Sequence, residues 1–423
     1  MTFRPILLTS ETPARSQARD AIDYLSLVEN PVIHTPSQRI HASSNFDITF
    51  ELHQKGQRIK LTLEPNHDIL AEGARVKYID SDGNVERSEG IERDEHLVFK
   101  GLSWVKSEDG WERAGWSRLV MKEDGATPLF EGTFTIRRDH HHVMLRSNYM
   151  RTKRDVDPHL EDTSAEYMVI FRDSDIGRQA REDAKRSLEM SRSCVVDDHG
   201  FLDPDQIVYE PLSSRNTTGL WGSMGLDSIF GISKRQDDTN NQGSTGGDLK
   251  DSIGDTKGCP TARKVALVGI VADCSYTGTF NSSQDTRRNI INVVNSASEL
   301  YERSFNISIG IGDIEVLSGN CPSKAPAATP FNVGCDERTN SDDPTLNQRL
   351  NLFSSYRSKK DDNFAFWTLM SDCRSGSEVG LAWLDELCTK SLKRHGDPND
   401  SSSQAATGAS VVARTTTEWQ VFA

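Results

Sequence analysis

The chain is 423 residues long, enough for two or three domains. Its net charge is −14 and its isoelectric point lies near 5.3, a surface that repels phosphate backbones and argues against nucleic-acid binding. No apolar run approaches the ~18 residues of a membrane span, yet 35% hydrophobic residues gathered in short runs suffice for buried cores.

Residues 1–30 read as an N-terminal segment. Its apolar stretch, Pro5 to Leu8, falls short of the ~7–15 residues a secretory signal needs, so no signal peptide is expected. The run "ARDAIDYLSLVEN" reads as a short helix. Residues 31–231 are β-rich. In "NFDITFELHQKGQRIKLTLEP", Phe46, Ile48, Phe50 and Leu52, then Ile59, Leu61 and Leu63, alternate with polar residues about a Gly-containing break, which predicts a hairpin. "RVKYIDSDGNVERSE" repeats the plan around Asp82-Gly83; EF-hand spacing fails there, so a tight turn is expected and not a calcium loop. "HLVFKGLSWV", "RLVMK", "LFEGTFTIRR", "HVMLRSN" and "YMVIFRD" add strands with no helical pattern between them, which predicts an antiparallel sandwich or barrel-like domain. In "DHHHVMLRSN", only His140 and His142 can share a strand face and converge on a metal. Without further ligands the run reads as the polar start of a strand.

Residues 232–260 are polar, rich in Gly, Ser, Asp and Asn, and read as an exposed linker. Lys234-Arg235 stands near its start, within reach of a processing protease. Residues 261–423 change to an α/β pattern. "KVALVGIVAD" predicts a strand buried on both faces. A helix follows, capped by Ser282 and Asp285, with Ile290, Val294, Ala297 and Tyr301 on one stripe. "NISIGIGDIEVL" is a strand whose Gly310-x-Gly312 lies inside it, which rejects a dinucleotide loop. A second helix presents Leu346, Leu350 and Phe353, and "NFAFWTLMSD" supplies another strand. This β-α-β-α-β order implies a mainly parallel sheet. The final "TTTEWQVFA", Thr415 to Ala423, reads as a helix opening: Thr415 and Glu418 form a capping-box pattern, and Trp419, Val421 and Phe422 begin an apolar face.

Cys194 stands alone in the first half, whereas Cys259, Cys274, Cys321, Cys335, Cys373 and Cys388 follow the dibasic pair. Six cysteines allow 15 pairings, and free buried thiols are the other reading. Sequons stand at Asn216, Asn281, Asn306 and Asn399. Together they favour an oxidising, luminal history. A serine hydrolase is excluded because "GLWGSMG" lacks Gly-x-Ser-x-Gly spacing.

"GCPTARKVALVGIVADCSYT", "NIINVVNSASELYERSFNISIGI", "RLNLFSSYR", "FAFWTLMSDC", "VGLAWLDELC" and "VVARTTTEWQVFA" resemble the reprolysin-type catalytic domain of ADAM metalloproteases, in their filamentous-fungal branch. "EGTFTIRRDHHHVMLRSNYMRTKRD" resembles the prodomain of the same branch. The resemblance implies a multidomain protein: a β-rich antiparallel prodomain, then an incomplete α/β metzincin-like domain with a mainly parallel twisted sheet. It implies zinc-dependent hydrolysis of protein or peptide substrates. In that family the helix opened by "TTTEWQVFA" continues into His-Glu-x-x-His-x-x-Gly-x-x-His, whose histidines bind zinc and whose glutamate activates water. The resemblance places the first of these histidines directly after Ala423. No His-Glu-x-x-His occurs in these 423 residues, and His395, the one histidine after the linker, sits in a polar loop. The expectation is therefore no catalytic residue and no metal ligand in this chain, zinc only in the complete family member, and no activity of these residues alone. A non-catalytic secreted module that binds or inhibits through its prodomain is the alternative.

By the same resemblance Cys194 is a candidate cysteine switch, although the usual Pro-Lys-x-Cys-Gly surroundings are absent and an ordinary unpaired cysteine is the other reading. Lys234-Arg235 would be cut by a kexin- or furin-like protease. Gly380, Leu381, Ala382, Trp383 and Leu384 would line the substrate groove, where an extended peptide adds as a strand; alternatively, Leu381 and Trp383 only pack the core. The six late cysteines would pair within the catalytic domain, unless a cysteine beyond residue 423 claims one. The complete protein would belong to the secretory pathway, the cell surface or the extracellular space, and would touch a membrane only through regions outside these residues.

Overall fold

Alternating apolar residues dictate most of the amino-terminal half. The computed structural model describes residues 21–422 apart from 54–55, 162, 178–261, 336–343, 374–378, 384–385, 396–403 and 416. Strands β1 (Ser26–Leu27), β2 (Glu29–His34), β3 (Phe46–Leu52) and β4 (Gln57–Pro65) are followed by the hairpin β5 (Leu70–Ile79) and β6 (Val85–Gly90). Next come β7 (Leu97–Ser107), β8 (Gly110–Glu123), β9 (Leu129–Ile136), β10 (Asp139–Leu145), helix α1 (Arg146–Thr152) and β11 (Met168–Arg172). Nine of these strands form one sheet in the order β1-β11-β10-β9-β8-β7-β4-β3-β2, antiparallel throughout. Strands β3 and β9 are four places apart, roughly 19 Å if the sheet were flat. Phe50 of β3 nevertheless lies 5.8 Å from Phe130 and 5.7 Å from Phe134 of β9, so the sheet curls around one apolar core.

From Ala21 onward, the run expected to be a helix before residue 31 is instead extended. Ile22 bridges Ile176 and β1 pairs with β11. Apolar residues at Ile22, Leu25 and Val28 mimic a helical stripe, but pairing with a distant strand outweighs that local preference. The hairpin turn is as expected: Asp80 accepts from the amides of Asp82 and Asn84, and Gly83 takes φ +88°.

The carboxy-terminal half runs β12 (Lys264–Ala272), α2 (Cys274–Thr277), α3 (Ser283–Phe305), β13 (Ile307–Leu317), α4 (Leu346–Arg357), β14 (Phe366–Ser371) and β15 (Gly380–Ala382). It continues with β16 (Lys393–His395), β17 (Gln404–Ala406), β18 (Ala409–Ala413) and α5 (Glu418–Phe422). The sheet order is β15-β18-β14-β12-β13-β5-β6. Strand β12 pairs in parallel with β13 and β14, β14 with β18, and β15 closes one edge antiparallel to β18. His395, expected in a loop, instead ends β16, which pairs antiparallel with β17. The opposite edge of the main sheet was not legible beforehand. The β5–β6 hairpin leaves the amino-terminal sheet, and β5 adds in parallel to β13, with Lys77 paired to Asp313 and Glu315.

Helix α3 is built as its sequence suggests. Ser282 accepts from the Asp285 amide at 3.1 Å, and Asn306 closes the helix at φ +54°. Ile290, Ile291, Val294 and Ala297 pack on the carboxy-terminal sheet. Its polar residues are buried too, under β7, β8 and β9. Asn295 donates to the carbonyls of Phe99 and Leu119, both at 3.2 Å, and accepts from Asn66 at 2.8 Å. Arg118, 3% exposed, reaches Glu299 at 2.6 Å and Glu302 at 3.4 Å.

Truncating Asn295 to alanine would leave two carbonyls and an amide without these partners in a dry seam, a loss of about 2–4 kcal/mol. Urea unfolding of the variant tests this; a change below about 0.5 kcal/mol would show that the seam does not depend on Asn295.

Candidate functional site

The last turn of described chain lies where the two halves and the edge strand meet. Helix α5 begins at Glu418, so Thr415 does not cap it, contrary to the capping-box expectation. The Glu418 carboxyl turns inward, where Asn289 of α3 stands 3.5 Å away and Tyr276 of α2 and Arg414 are neighbours. The expected apolar face is present: Trp419 and Phe422 join the core cluster that contains Val412, with Val421 against it. Gly380 of β15 explains the close approach of strand and helix. A Cβ there would lie 2.8 Å from Val421 Cγ1, so the lack of a side chain at 380 lets α5 pass close under the edge strand. Ala423, after which the sequence resemblance places the catalytic histidines, lies outside the described residues, so the described helix stops at Phe422.

The proposed groove residues divide between surface and core. Gly380, Leu381 and Ala382 form β15, paired with Val412, Val411 and Ser410. Leu381 and Trp383 pack on the cluster around Phe353, and Trp383 donates to Ser354 Oγ at 2.7 Å. The side chains are therefore packing groups, while the backbone of β15 is the sheet's edge. Leu384 lies outside the described residues. So do Cys194, Asn216, Lys234, Arg235, Cys259 and Asn399. Asn281 is exposed just before α3, and Asn306 caps that helix. Four late cysteines form two disulfides, Cys274–Cys321 and Cys335–Cys373. Cys388 is free and exposed among the described residues.

The histidine run opens strand β10, as expected, but its side chains are buried. His140, His141 and His142 are 2%, 4% and 5% exposed. His140 and His142 share a face, as their spacing requires, and both meet Asp173. Asp173 Oδ2 is 2.7 Å from His140 Nδ1, and Oδ1 is 2.6 Å from His142 Nε2. Burial would raise the Asp173 carboxyl, but the hydrogen bonds from both imidazoles hold it below the usual carboxylate range. From the other half, Trp419 Nε1 donates to His142 Nδ1 at 3.3 Å and Gln420 Nε2 donates to Asp173 Oδ2 at 3.0 Å. No local signal announces Asp173, which lies 33 residues beyond His140.

Among the described residues no group of three or more His, Cys, Asp or Glu side chains is arranged to hold a metal ion. No ligand set that would fit the zinc implied by the sequence resemblance lies among them. No described helix is long and apolar enough to cross a membrane.

The carboxy-terminal half is thus a mainly parallel sheet with helical crossovers, an antiparallel edge strand and a helix passing under that edge. Residues 261–423 match Reprolysin_5, metallo-peptidase family M12. The similarity extends over the amino-terminal half as well. The chain is 49% identical over 419 residues to disintegrin and metalloproteinase domain-containing protein B of Arthroderma benhamiae, covering 98% of this chain and 52% of the relative. For the proteins of the same name in Trichophyton verrucosum and Aspergillus fumigatus the identities are 50% over 411 residues and 47% over 424. These cover 96% and 99% of this chain, and 51% and 52% of the relatives. The chain thus spans about half the length of these curated relatives.

Two opposite pH dependences follow. Burial pushes the Glu418 carboxyl up to about 7 from an ordinary 4.5, against the pull of Arg414. The folded state therefore holds this proton more tightly, and stability falls as pH rises between those values. Glu418→Gln should stabilise by about 3 kcal/mol at pH 8 and hardly at all at pH 4; equal effects at both would contradict the burial argument. Burial, reinforced by Arg287 and Arg288, brings His96 down to about 4, and burial brings His141 down to about 3. Below 6.5 the unfolded chain takes up protons that the folded chain refuses, so each histidine should cost about 2 kcal/mol between pH 7 and 5. His141→Phe, which keeps the stack on Phe134, should flatten the urea midpoint against pH. A flat profile in the parent chain would contradict this.

Proposed function

We propose that the chain is the prodomain and the leading part of the catalytic domain of an ADAM-type zinc metalloendopeptidase precursor. The observation that carries this reading is the juxtaposition of edge strand β15 with α5 inside a segment of family M12. An extended protein substrate adds to the backbone of β15 as a further antiparallel strand, held by main-chain hydrogen bonds. The packed side chains of Leu381 and Trp383 keep that edge rigid. In the complete family member zinc would supply a Lewis acid and an activated water, held by a His-Glu-x-x-His set that does not occur in these 423 residues. The curled amino-terminal sheet is the prodomain, and its broad contact with α3 supports that role.

In this reading a kexin- or furin-like protease cuts at Lys234-Arg235 in the secretory pathway, the sequons carry glycans, and Cys194 contributes to latency. Residues 1–423 by themselves do not hydrolyse peptides, because no His-Glu-x-x-His occurs in them. Purified chain incubated with zinc and a quenched peptide or casein should show no chelator-sensitive cleavage. The same reading frame extended through a His-Glu-x-x-His helix should cleave after processing, and a Glu→Ala change in that motif should abolish the activity. Chelator-sensitive cleavage by the 423 residues, or none by the processed extended protein, would overturn the corresponding part of the reading.

A further inference from the structure

The histidine run of β10 is buried against α5. We propose that His140, Asp173 and His142 form a clamp by which the amino-terminal half holds the first turn of α5, gripping it through Trp419 and Gln420. This rests on the reading of the amino-terminal half as a prodomain.

The geometry is that of a directional polar contact. Trp419 inserts between rings of the opposite half. It lies edge-on to Trp116 at 5.8 Å and to His140 at 5.1 Å. His142 is fixed from behind by stacking on Phe171 at 4.9 Å. Its two nitrogens have separate tasks. Nδ1 accepts from the Trp419 indole, so the ring proton sits on Nε2 and points to Asp173. The same carboxylate receives Gln420 on its other oxygen, and the Gln420 amide also approaches His140 Nδ1 at 3.4 Å. One buried acid thus ties two imidazoles of β10 to a side chain of α5.

Apolar side chains alone would pack Trp419 without the cost of burying a carboxylate. The hydrogen bonds of the polar contact are made only when α5 sits in one place relative to β10. The contact is also confined to side chains, so it can break without unmaking either sheet. These properties suit a contact that holds a helix until the amino-terminal half departs, by a route that does not involve Cys194.

The test uses the 423-residue chain and hydrogen exchange over residues 414–423, read by mass spectrometry. Asp173→Asn and Gln420→Ala should each speed exchange there by at least about tenfold, with β12 and β14 unchanged. The double variant should be no faster than the faster single, since both cut one contact. Exchange within twofold of the parent in both singles, or fully additive effects, would overturn the clamp. If Asp173→Asn also loosens β9 and β10, Gln420→Ala decides alone, because it leaves the amino-terminal sheet untouched. The readout needs neither metal nor proteolysis, so it is independent of the cleavage assays that test the proposed function.

Discussion

Helix α3 is covered on both sides, and that constraint organises the rest of the structure. Its apolar residues complete the core of the carboxy-terminal sheet. Its polar residues, Asn295, Ser296, Ser298 and Glu302, are equally buried, because the curled amino-terminal sheet lies over them. Burying polar groups is tolerable only when each finds a partner. Here the partners come from across the seam: carbonyls of β7 and β8, the Thr133 hydroxyl, and the Arg118 guanidinium. A helix with hydrogen-bonding groups along this face can return to water more cheaply than one with leucines there. The seam is therefore suited to holding two halves together without making their union permanent, although Val98, Trp116 and Val120 add an apolar component.

Two further contacts extend the seam to opposite ends of the carboxy-terminal sheet. At one end β5 adds to β13, covering an edge that would otherwise present unpaired amides and carbonyls. At the other, β10 and the turn carrying Asp173 reach α5. The amino-terminal half thus touches the outer strand, the main crossover helix and the helix beneath the open edge. Edge strand β15 thus belongs to a sheet whose far edge, back face and leading helix are all braced by the same partner.

Much of this was legible in the sequence. Strands with strict alternation, such as Phe46–Leu52, and helices with clear caps, such as Ser282 before α3, form where their patterns place them. Periodicity fixes which side chains share a face but not which sheet the strand will join, so the departure of the β5–β6 hairpin could not be read. The same limit applies to the histidines. Alternation puts His140 and His142 together, yet burial against Asp173 and Trp419 depends on residues far along the chain. Thr415 and Glu418 match a cap by spacing alone, and the pull of a buried pocket beside Tyr276 and Asn289 takes Glu418 elsewhere. The motif around Leu381 and Trp383 marks a segment but not its orientation. In the fold their side chains serve the core while the backbone offers the edge.

A polar, charge-assisted seam, with Arg118 against Glu299 and Glu302, holds the amino-terminal half on the carboxy-terminal sheet that its own β5–β6 hairpin completes. It is tested most directly by cutting the chain within residues 178–261 and following both pieces by gel filtration at neutral pH. The account requires the pieces to elute as one complex, and to come apart when Arg118 is replaced by glutamate, which would face Glu299 and Glu302. Separate elution from the unaltered chain, or an Arg118→Glu complex as tight as the parent, would contradict it.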